Sequence, residues 1–329
     1  MKILITGGAG YIGSTVASAC EDAGHEVVIL DDFSTGRREF IGERTCYEGD
    51  IADAELLDKL FQTEKVDAVV HCAAKIIVPE SVSDPLGYYD NNVGKTVHLL
   101  NALERNGVQR FLFSSSASIY APDENFIVTE DSPLQPNSPY ATTKYMVEMI
   151  LEDFTKASDV RVLSLRYFNP IGTDPKLRSG QQLEKPSHVL AKLLEAWSNK
   201  ETFTVTGVDW PTRDGSGIRD YIHVWDLAQA HVAALENFDK ATESGPYQVF
   251  NIGTGNGVTV KELANSFKEI TGDPLDVKYG PSRPGDVAGV YSVSNKAKDV
   301  LGWEAKLTET EAVRDAIAWL PKRKEMLGY

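Results

Sequence analysis

Lys2-Ile3-Leu4-Ile5-Thr6 runs without a break into Gly7-Gly8-Ala9-Gly10-Tyr11-Ile12-Gly13. The first five residues read as a short buried strand, and a helical pattern opens at Tyr11. Gly7, Gly10 and Gly13 match G-x-x-G-x-x-G, while Gly8, Gly10 and Gly13 match G-x-G-x-x-G. Glycine suits a chain that turns sharply from strand to helix and must approach an anion without a Cβ in the way. The helix then offers free N–H groups and the positive end of its dipole. The stretch reads either as a dinucleotide-binding turn or as an ordinary tight strand–helix connection.

Working outward, the run 26–30 predicts a second strand, and Asp31 stands at its end, 18 residues after Gly13. A carboxylate there pairs with adenosine ribose hydroxyls and repels a 2′-phosphate, which favours NAD over NADP. Asp32 reads alternatively as a loop acid, and Arg37 or Arg38 argues the other way, for NADP. Further apolar runs at Ala68–His71, 110–114 and 160–165 alternate with helical patterns at 11–23, 54–62 and 86–106. Unbroken Val, Ile, Leu and Phe runs mark strands covered on both faces. The expected fold is α/β: a Rossmann-type doubly wound parallel sheet with a smaller mixed α/β substrate domain.

A second composition begins near Asn169. Residues 170–186 are rich in glycine, proline and polar side chains and read as a loop between domains. Helical patterns follow at 188–199, 259–271 and 309–320, and the run 221–253 looks like another α/β unit that returns to the sheet. The expected division is 1–169 with a return segment 220–252 for the cofactor domain, and 170–219 with 253–329 for the substrate domain.

The chain has 329 residues, which suggests roughly two domains and room for a full core. Hydrophobic residues at 42% and charged residues at 25% exclude wholesale disorder. A net charge of −15 repels polyphosphate, so nucleic acid is not an expected partner. Any bound anion must be held by local donors. The three cysteines are widely spaced with no C-x-x-C, and the six histidines show no metal-ligand spacing, so no metal is expected. There is no G-x-S-x-G nucleophile elbow. Ile3–Ile5 is too short an apolar run for a signal peptide, and no stretch reaches the ~20 apolar residues of a membrane span. The expectation is a cytoplasmic protein without a membrane partner.

Phe111-Leu112-Phe113 leads into Ser114-Ser115-Ser116 at the carboxyl end of a central strand, the edge where open α/β sheets bind ligands. Ser138-Pro139-Tyr140 reads as a helix start, with Ser138 as cap and Pro139 in the first turn. Tyr140 and Lys144 then share one helix face. They read either as a packed aromatic beside a lysine that pairs with Glu148, or as a catalytic couple. In the second reading an ammonium and a nicotinamide ring favour phenolate. Lowering a phenol by about three units corresponds to roughly 4 kcal/mol, within reach of two close cations in a dry cleft.

These residues resemble the extended short-chain dehydrogenase/reductase superfamily and, within it, the UDP-glucose 4-epimerase (UDP-galactose 4-epimerase) family. The likeness runs nearly end to end. It rests on Thr6–Gly13, Glu48-Gly49-Asp50-Ile51, Tyr88-Tyr89-Asp90-Asn91-Asn92-Val93, Phe113–Ser116, Tyr140-x-x-x-Lys144, Arg166-Tyr167-Phe168-Asn169-Pro170 and Arg219-Asp220-Tyr221-Ile222-His223-Val224. The Tyr-x-x-x-Lys spacing marks only the superfamily; the last two strings are far more specific.

The resemblance implies a tightly bound NAD contacted by Gly7, Gly10, Tyr11, Ile12, Gly13, Asp31, Asp50, Ile51, Cys72, Ala73, Ala74, Asn91, Ser114, Tyr167 and Phe168. It implies Lys144 on the nicotinamide ribose, lowering the Tyr140 phenol. Tyr140 then takes the sugar 4-hydroxyl proton, Ser116 bridges phenol and sugar oxygen, and the C4 hydride passes to NAD. The 4-keto sugar rotates and receives the hydride on its other face, which interconverts UDP-galactose and UDP-glucose. Asn169, Val189, Arg219, Arg283, Asp286 and Val290 fall where the family holds the UDP-sugar. A homodimer through helices matching 86–106 and 140–156 is also implied.

Departures from the pattern carry their own expectations. Ile76 stands where many members have lysine, with Lys75 one place earlier. Ala141, Thr142 and Thr143 replace the usual small residues after Tyr140. Val290 stands where bacterial members often have tyrosine, which implies room for N-acetylated UDP-sugars. The rival readings are a nucleotide-sugar 4,6-dehydratase and a non-catalytic NAD-sensing module.

Overall fold

Seven parallel strands form the central sheet in the order Thr45–Glu48, Glu26–Asp31, Lys2–Thr6, Ala68–His71, Arg110–Ser116, Arg161–Tyr167, Tyr247–Ile252. The structure is a computed structural model and describes residues 1–121, 123–186, 188–282, 287–293 and 295–329. Arg283 and Asp286 lie outside the described residues. From Lys2–Thr6 the chain first builds outward through two strands, then crosses back and builds the other way from Ala68–His71. The carboxyl ends of these two central strands flank the crevice where the order reverses, and ligands bind doubly wound sheets there.

Alternation along each strand divides the core between two faces. Ile3, Ile5, Leu112 and Leu163 pack with Val16 of helix Tyr11–Asp22 and Leu227 of helix Val224–Glu236. Leu4, Phe111 and Phe113 pack on the opposite face with Leu57 of Ala54–Glu64, Leu99 of Lys95–Arg105 and Val147 of Pro139–Ala157. Both faces are covered, as the unbroken apolar runs require.

The strand Tyr247–Ile252 closes one edge of the large sheet beside Arg161–Tyr167. Strand Ile218–His223 does not join it. It pairs instead with Asn169–Ile171 and Gly257–Thr259 in a separate three-stranded sheet. Helices Val189–Asn199, Val260–Thr271 and Glu309–Leu327 cover that sheet around Leu193, Phe267 and Val313.

Four local readings change. Strand Thr45–Glu48 was not legible, because it is a half-exposed edge strand with no apolar run. The helical pattern 86–106 is interrupted: Pro85–Tyr89 and Lys95–Arg105 flank a π-helical turn at Asp90–Gly94. The terminal helix continues through the exposed Pro321 to Leu327 instead of stopping at 320. Strands 110–114 and 160–165 extend to Ser116 and Tyr167, so that Ser115 pairs with Arg166 and Ser116 with Tyr167 in the ladder.

Candidate active site

The glycine turn shows which glycines the protein itself requires. Gly7 has φ of 72°, and a Cβ there would sit 2.7 Å from the Ala73 amide nitrogen. A Cβ on Gly13 would sit 2.1 Å from the Gly7 carbonyl oxygen. Gly10 is different: its backbone is extended with φ of −83°, and a Cβ would meet nothing nearer than 3.4 Å. Gly10 caps helix Tyr11–Asp22 with no side-chain acceptor on the helix amino end. Packing does not explain glycine at that point, whereas close approach by an anion does. The donor set therefore fits a dinucleotide pyrophosphate.

Asp31 holds this turn in shape. Its carboxylate accepts from the Ala9 and Phe33 amides, each at 2.9 Å. Burial raises its pKa, and the two amides pull it back. Arg38 pairs with Glu48 at 2.6 Å, and Arg37 donates to the Tyr329 hydroxyl at 2.9 Å. Both arginines that argued for a 2′-phosphate are thus engaged elsewhere. Asp50 accepts from Lys95 and from the Ala52 amide, and Ile51 is buried in the core.

Cys72-Ala73-Ala74 passes directly over Gly7, with the Cys72 amide donating to Thr6. Burial pushes the Cys72 thiol up to about 11, so it stays protonated. Lys75 points away, with its Nζ 3.4 Å from Asp84 on the surface, and Ile76 is exposed. The π-turn has a local purpose. Asn92 is buried, accepts from the Lys75 amide at 2.8 Å and donates to the Lys75 carbonyl and to Thr143. Asn91 stays half-buried and donates to Asn92.

Ser138 caps the helix Pro139–Ala157 by accepting from the Ala141 amide, with Pro139 in the first turn. The helix presents Tyr140, Lys144 and Glu148 buried along its sheet-facing side. The Lys144 ammonium donates to the Ser114 carbonyl at 2.8 Å. Ser114 Oγ lies 3.2 Å from the Cys72 sulfur and 3.0 Å from His231 Nε2. Ser116 Oγ lies 2.9 Å from Ser118 Oγ and receives the Ser118 amide.

The reading of Lys144 as a partner of Glu148 is corrected. Glu148 binds Arg166 through Nη2 at 2.6 Å and Nε at 3.0 Å, and it accepts from Ser115 Oγ at 2.5 Å. The electrostatics of Tyr140 also need correction. Burial pushes its phenol up, and the Ser116 hydroxyl is what opposes that rise in the protein alone. Burial lowers the Lys144 ammonium to about 8.

On the substrate side, Phe168 is buried with Ala117, Tyr120 and Val128, and Val290 packs against this cluster. Asn169 begins the small strand next to Tyr221, and Val189 opens the helix Val189–Asn199. The Arg219 guanidinium donates to the carbonyls of Ile218, Val287 and Ala288. Tyr167 is paired with Ser116 across the ladder. Tyr11 reaches from the glycine turn to the Gly172 carbonyl at 2.7 Å.

Sequence reasoning assigned no role to Glu148 beyond a lysine partner, nor any to Arg166, Asn92 or Asp220. Asp220 is fully buried and accepts from the amides of Thr254, Gly255 and Ser292, tying the loops behind Arg219 together. A charged residue inside an apolar strand was the available signal for both Arg166 and Asp220.

Comparison with known proteins shows the family and the fold. Residues 3–253 match the NAD dependent epimerase/dehydratase family. The chain is 40% identical over 330 residues to the UDP-glucose 4-epimerase of Bacillus subtilis, covering 97% of this chain and 96% of that one. Its structure superposes with a TM-score of 0.94 on a UDP-glucose-4-epimerase from Stenotrophomonas maltophila holding NAD and formylated UDP-arabinopyranose. That pair is 34% identical and covers 100% and 99% of the two chains. A UDP-Glc/GlcNAc 4-epimerase from Campylobacter jejuni matches with a TM-score of 0.83 at 36% identity, covering 98% of this chain and 99% of that one.

Proposed function

The chain belongs to the NAD dependent epimerase/dehydratase family, and on that premise we propose that it interconverts UDP-galactose and UDP-glucose, with NAD as a bound catalyst. The observation that carries this reading is the placement of Ser116, Tyr140 and Lys144 at the carboxyl edge of the sheet, the same edge that carries the open cradle at Gly10. Bound NAD supplies the hydride acceptor and donor.

The chain's own groups handle the proton. Tyr140 Oη takes the proton of the sugar 4-hydroxyl, and Ser116 Oγ bridges the two oxygens. Burial opposes phenolate at Tyr140 and the Ser116 hydroxyl acts against it; with NAD bound, the Lys144 cation would add to that. The Gly-rich turn, with Tyr11 and Ile12, would hold the pyrophosphate; Asp31 the adenosine ribose; Asp50 and Ile51 the adenine. Cys72 to Ala74, Asn91, Ser114, Tyr167 and Phe168 would line the rest of the channel. Asn169, Val189 and Arg219, with Arg283 and Asp286, would hold the UDP moiety. We assign 1–169 and the returning strand Tyr247–Ile252 to the cofactor domain and the remainder of the second half to the substrate domain.

A dehydratase needs acid/base carboxylates beside the bridging hydroxyl, and Ser116-Ala117-Ser118 offers none. Incubation with UDP-galactose tests the assignment. UDP-glucose as product supports it; a 4-keto-6-deoxy product or unchanged substrate overturns it.

Among the described residues no helix is long and apolar enough to cross a membrane, and we place the protein in the cytoplasm. Val82, Leu86, Val97, Met146 and Met149 are exposed on the segment 78–105 and the helix Pro139–Ala157. Leu86 is 79% exposed. Apolar side chains of this size on adjoining helices suit a homodimer interface. Light scattering that returned a monomer mass at working concentration would sink that assignment.

A further inference from the structure

The helix that carries Tyr140 and Lys144 also carries a buried carboxylate one turn beyond the lysine. Lys144 and Glu148 are each 3% exposed and stand four residues apart, the spacing at which lysine and glutamate pair on a helix. They do not pair: among the described residues, no ion pair to Lys144 lies within 4.0 Å. Alternation along strand Arg110–Ser116 sends the Ser115 hydroxyl to Glu148, while the Ser114 carbonyl receives Lys144. Arg166, on the neighbouring strand Arg161–Tyr167, takes both carboxylate oxygens of Glu148. The Tyr120 hydroxyl and the Glu130 carbonyl hold the remaining guanidinium nitrogen, and Tyr120 donates to Asn251 at 2.6 Å.

A buried ion pair of this kind is weak evidence for stability, because desolvating both charges offsets most of their attraction. Its position explains it better. We propose that Arg166 is a positioning residue for the reaction: it occupies the Glu148 carboxylate, so that Lys144 stays on the Ser114 carbonyl along the Tyr140 face instead of being drawn one turn down the helix. This rests on the reading of Lys144 and Tyr140 given above.

The other groups facing the lysine leave Glu148 as its sole charged neighbour. The Cys72 thiol is held neutral by burial, which pushes it up to about 11, and the His71 imidazole is held neutral by burial, which pushes it down to about 3. Around Tyr140 stand Ser116 from the central strand, Tyr88 from Pro85–Tyr89 and Tyr167 from Arg161–Tyr167; burial pushes both tyrosines up, so they too are neutral. A freed Glu148 is therefore the group that would neutralise Lys144 and raise the Tyr140 phenol.

The test compares holoenzyme variants by the pH dependence of kcat and by phenolate absorbance, taking Tyr140→Phe in each background as the difference reference. Arg166→Met is expected to move the acidic limb of kcat upward by about one pH unit, a loss of about fivefold at the original midpoint that approaches tenfold well below it, with KM nearly unchanged. Arg166→Met with Glu148→Gln removes the competing carboxylate and is expected to return the limb to its wild-type position. Arg166→Lys, and Glu148→Gln alone, are expected to show no upward shift, which keeps the test open if Arg166→Met fails to fold. A double variant shifted as far as the single, an upward shift in Glu148→Gln, or an unshifted Arg166→Met overturns the proposal. Wild-type protein without turnover would defeat the functional reading instead, and the phenolate titration would still judge the ion pair.

Discussion

The Lys144 ammonium donates to the Ser114 backbone carbonyl across 2.8 Å, and both residues are buried. A cation is thereby fixed at the carboxyl edge of the central sheet without a counter-ion. Burial brings it down to about 8, so the folded protein binds this proton less well than the unfolded chain does. Between about 8 and the ordinary lysine value of 10.5 the unfolded state holds more protons, and stability rises with pH. Below that window the full cost is present. Lys144→Met is expected to abolish turnover yet stabilise the protein by about 1–3 kcal/mol at neutral pH, net of the lost hydrogen bond. The gain should shrink as pH climbs from 8 toward 10.5. Denaturant unfolding at a series of pH values measures this, and a variant less stable than wild type at pH 7 contradicts it.

The glycine turn separates fold from ligand. Gly13→Ala would drive a methyl to 2.1 Å from the Gly7 carbonyl and should cost several kcal/mol of stability, on the order of severe overpacking. Gly10→Ala has ordinary backbone angles and nothing nearer than 3.4 Å. It should melt within a few degrees of wild type while losing NAD on gel filtration. Retained cofactor in Gly10→Ala would show that the cradle is not the pyrophosphate site.

Val290 packs against the cluster of Ala117, Tyr120, Val128 and Phe168. We expect measurable turnover of UDP-N-acetylgalactosamine by the wild type. Val290→Tyr should reduce that activity at least tenfold more than activity on UDP-galactose, because one filled pocket discriminates by about 1–3 kcal/mol. No wild-type activity on the N-acetyl substrate removes the idea.

Much of this architecture was legible because steric and periodic constraints act locally. Gly7 and Gly13 are fixed by backbone contacts a few residues away or across one strand, and Ser138-Pro139 announces its own helix. What stayed hidden depends on long-range partners. Whether Lys144 binds Glu148 or something else turns on Arg166, 22 residues further along the chain, and helix spacing alone favours the wrong answer. The π-turn at Asp90–Gly94 is set by Asn92 reaching Lys75 and Thr143, contacts with no signature in an amphipathic pattern. Strand Thr45–Glu48 exists because an exposed sheet edge accepts it, not because its residues demand burial.

The account stands on a buried phenol that moves a sugar proton beside a retained dinucleotide. Turnover of UDP-galactose by Tyr140→Phe, measured with its NAD content, tests this most directly. Loss of one oxygen atom should leave the cofactor in place and lower kcat by about 10²–10⁴-fold, the range for removing a general acid–base group. A Tyr140→Phe protein that keeps its NAD and works at close to the wild-type rate would contradict the account.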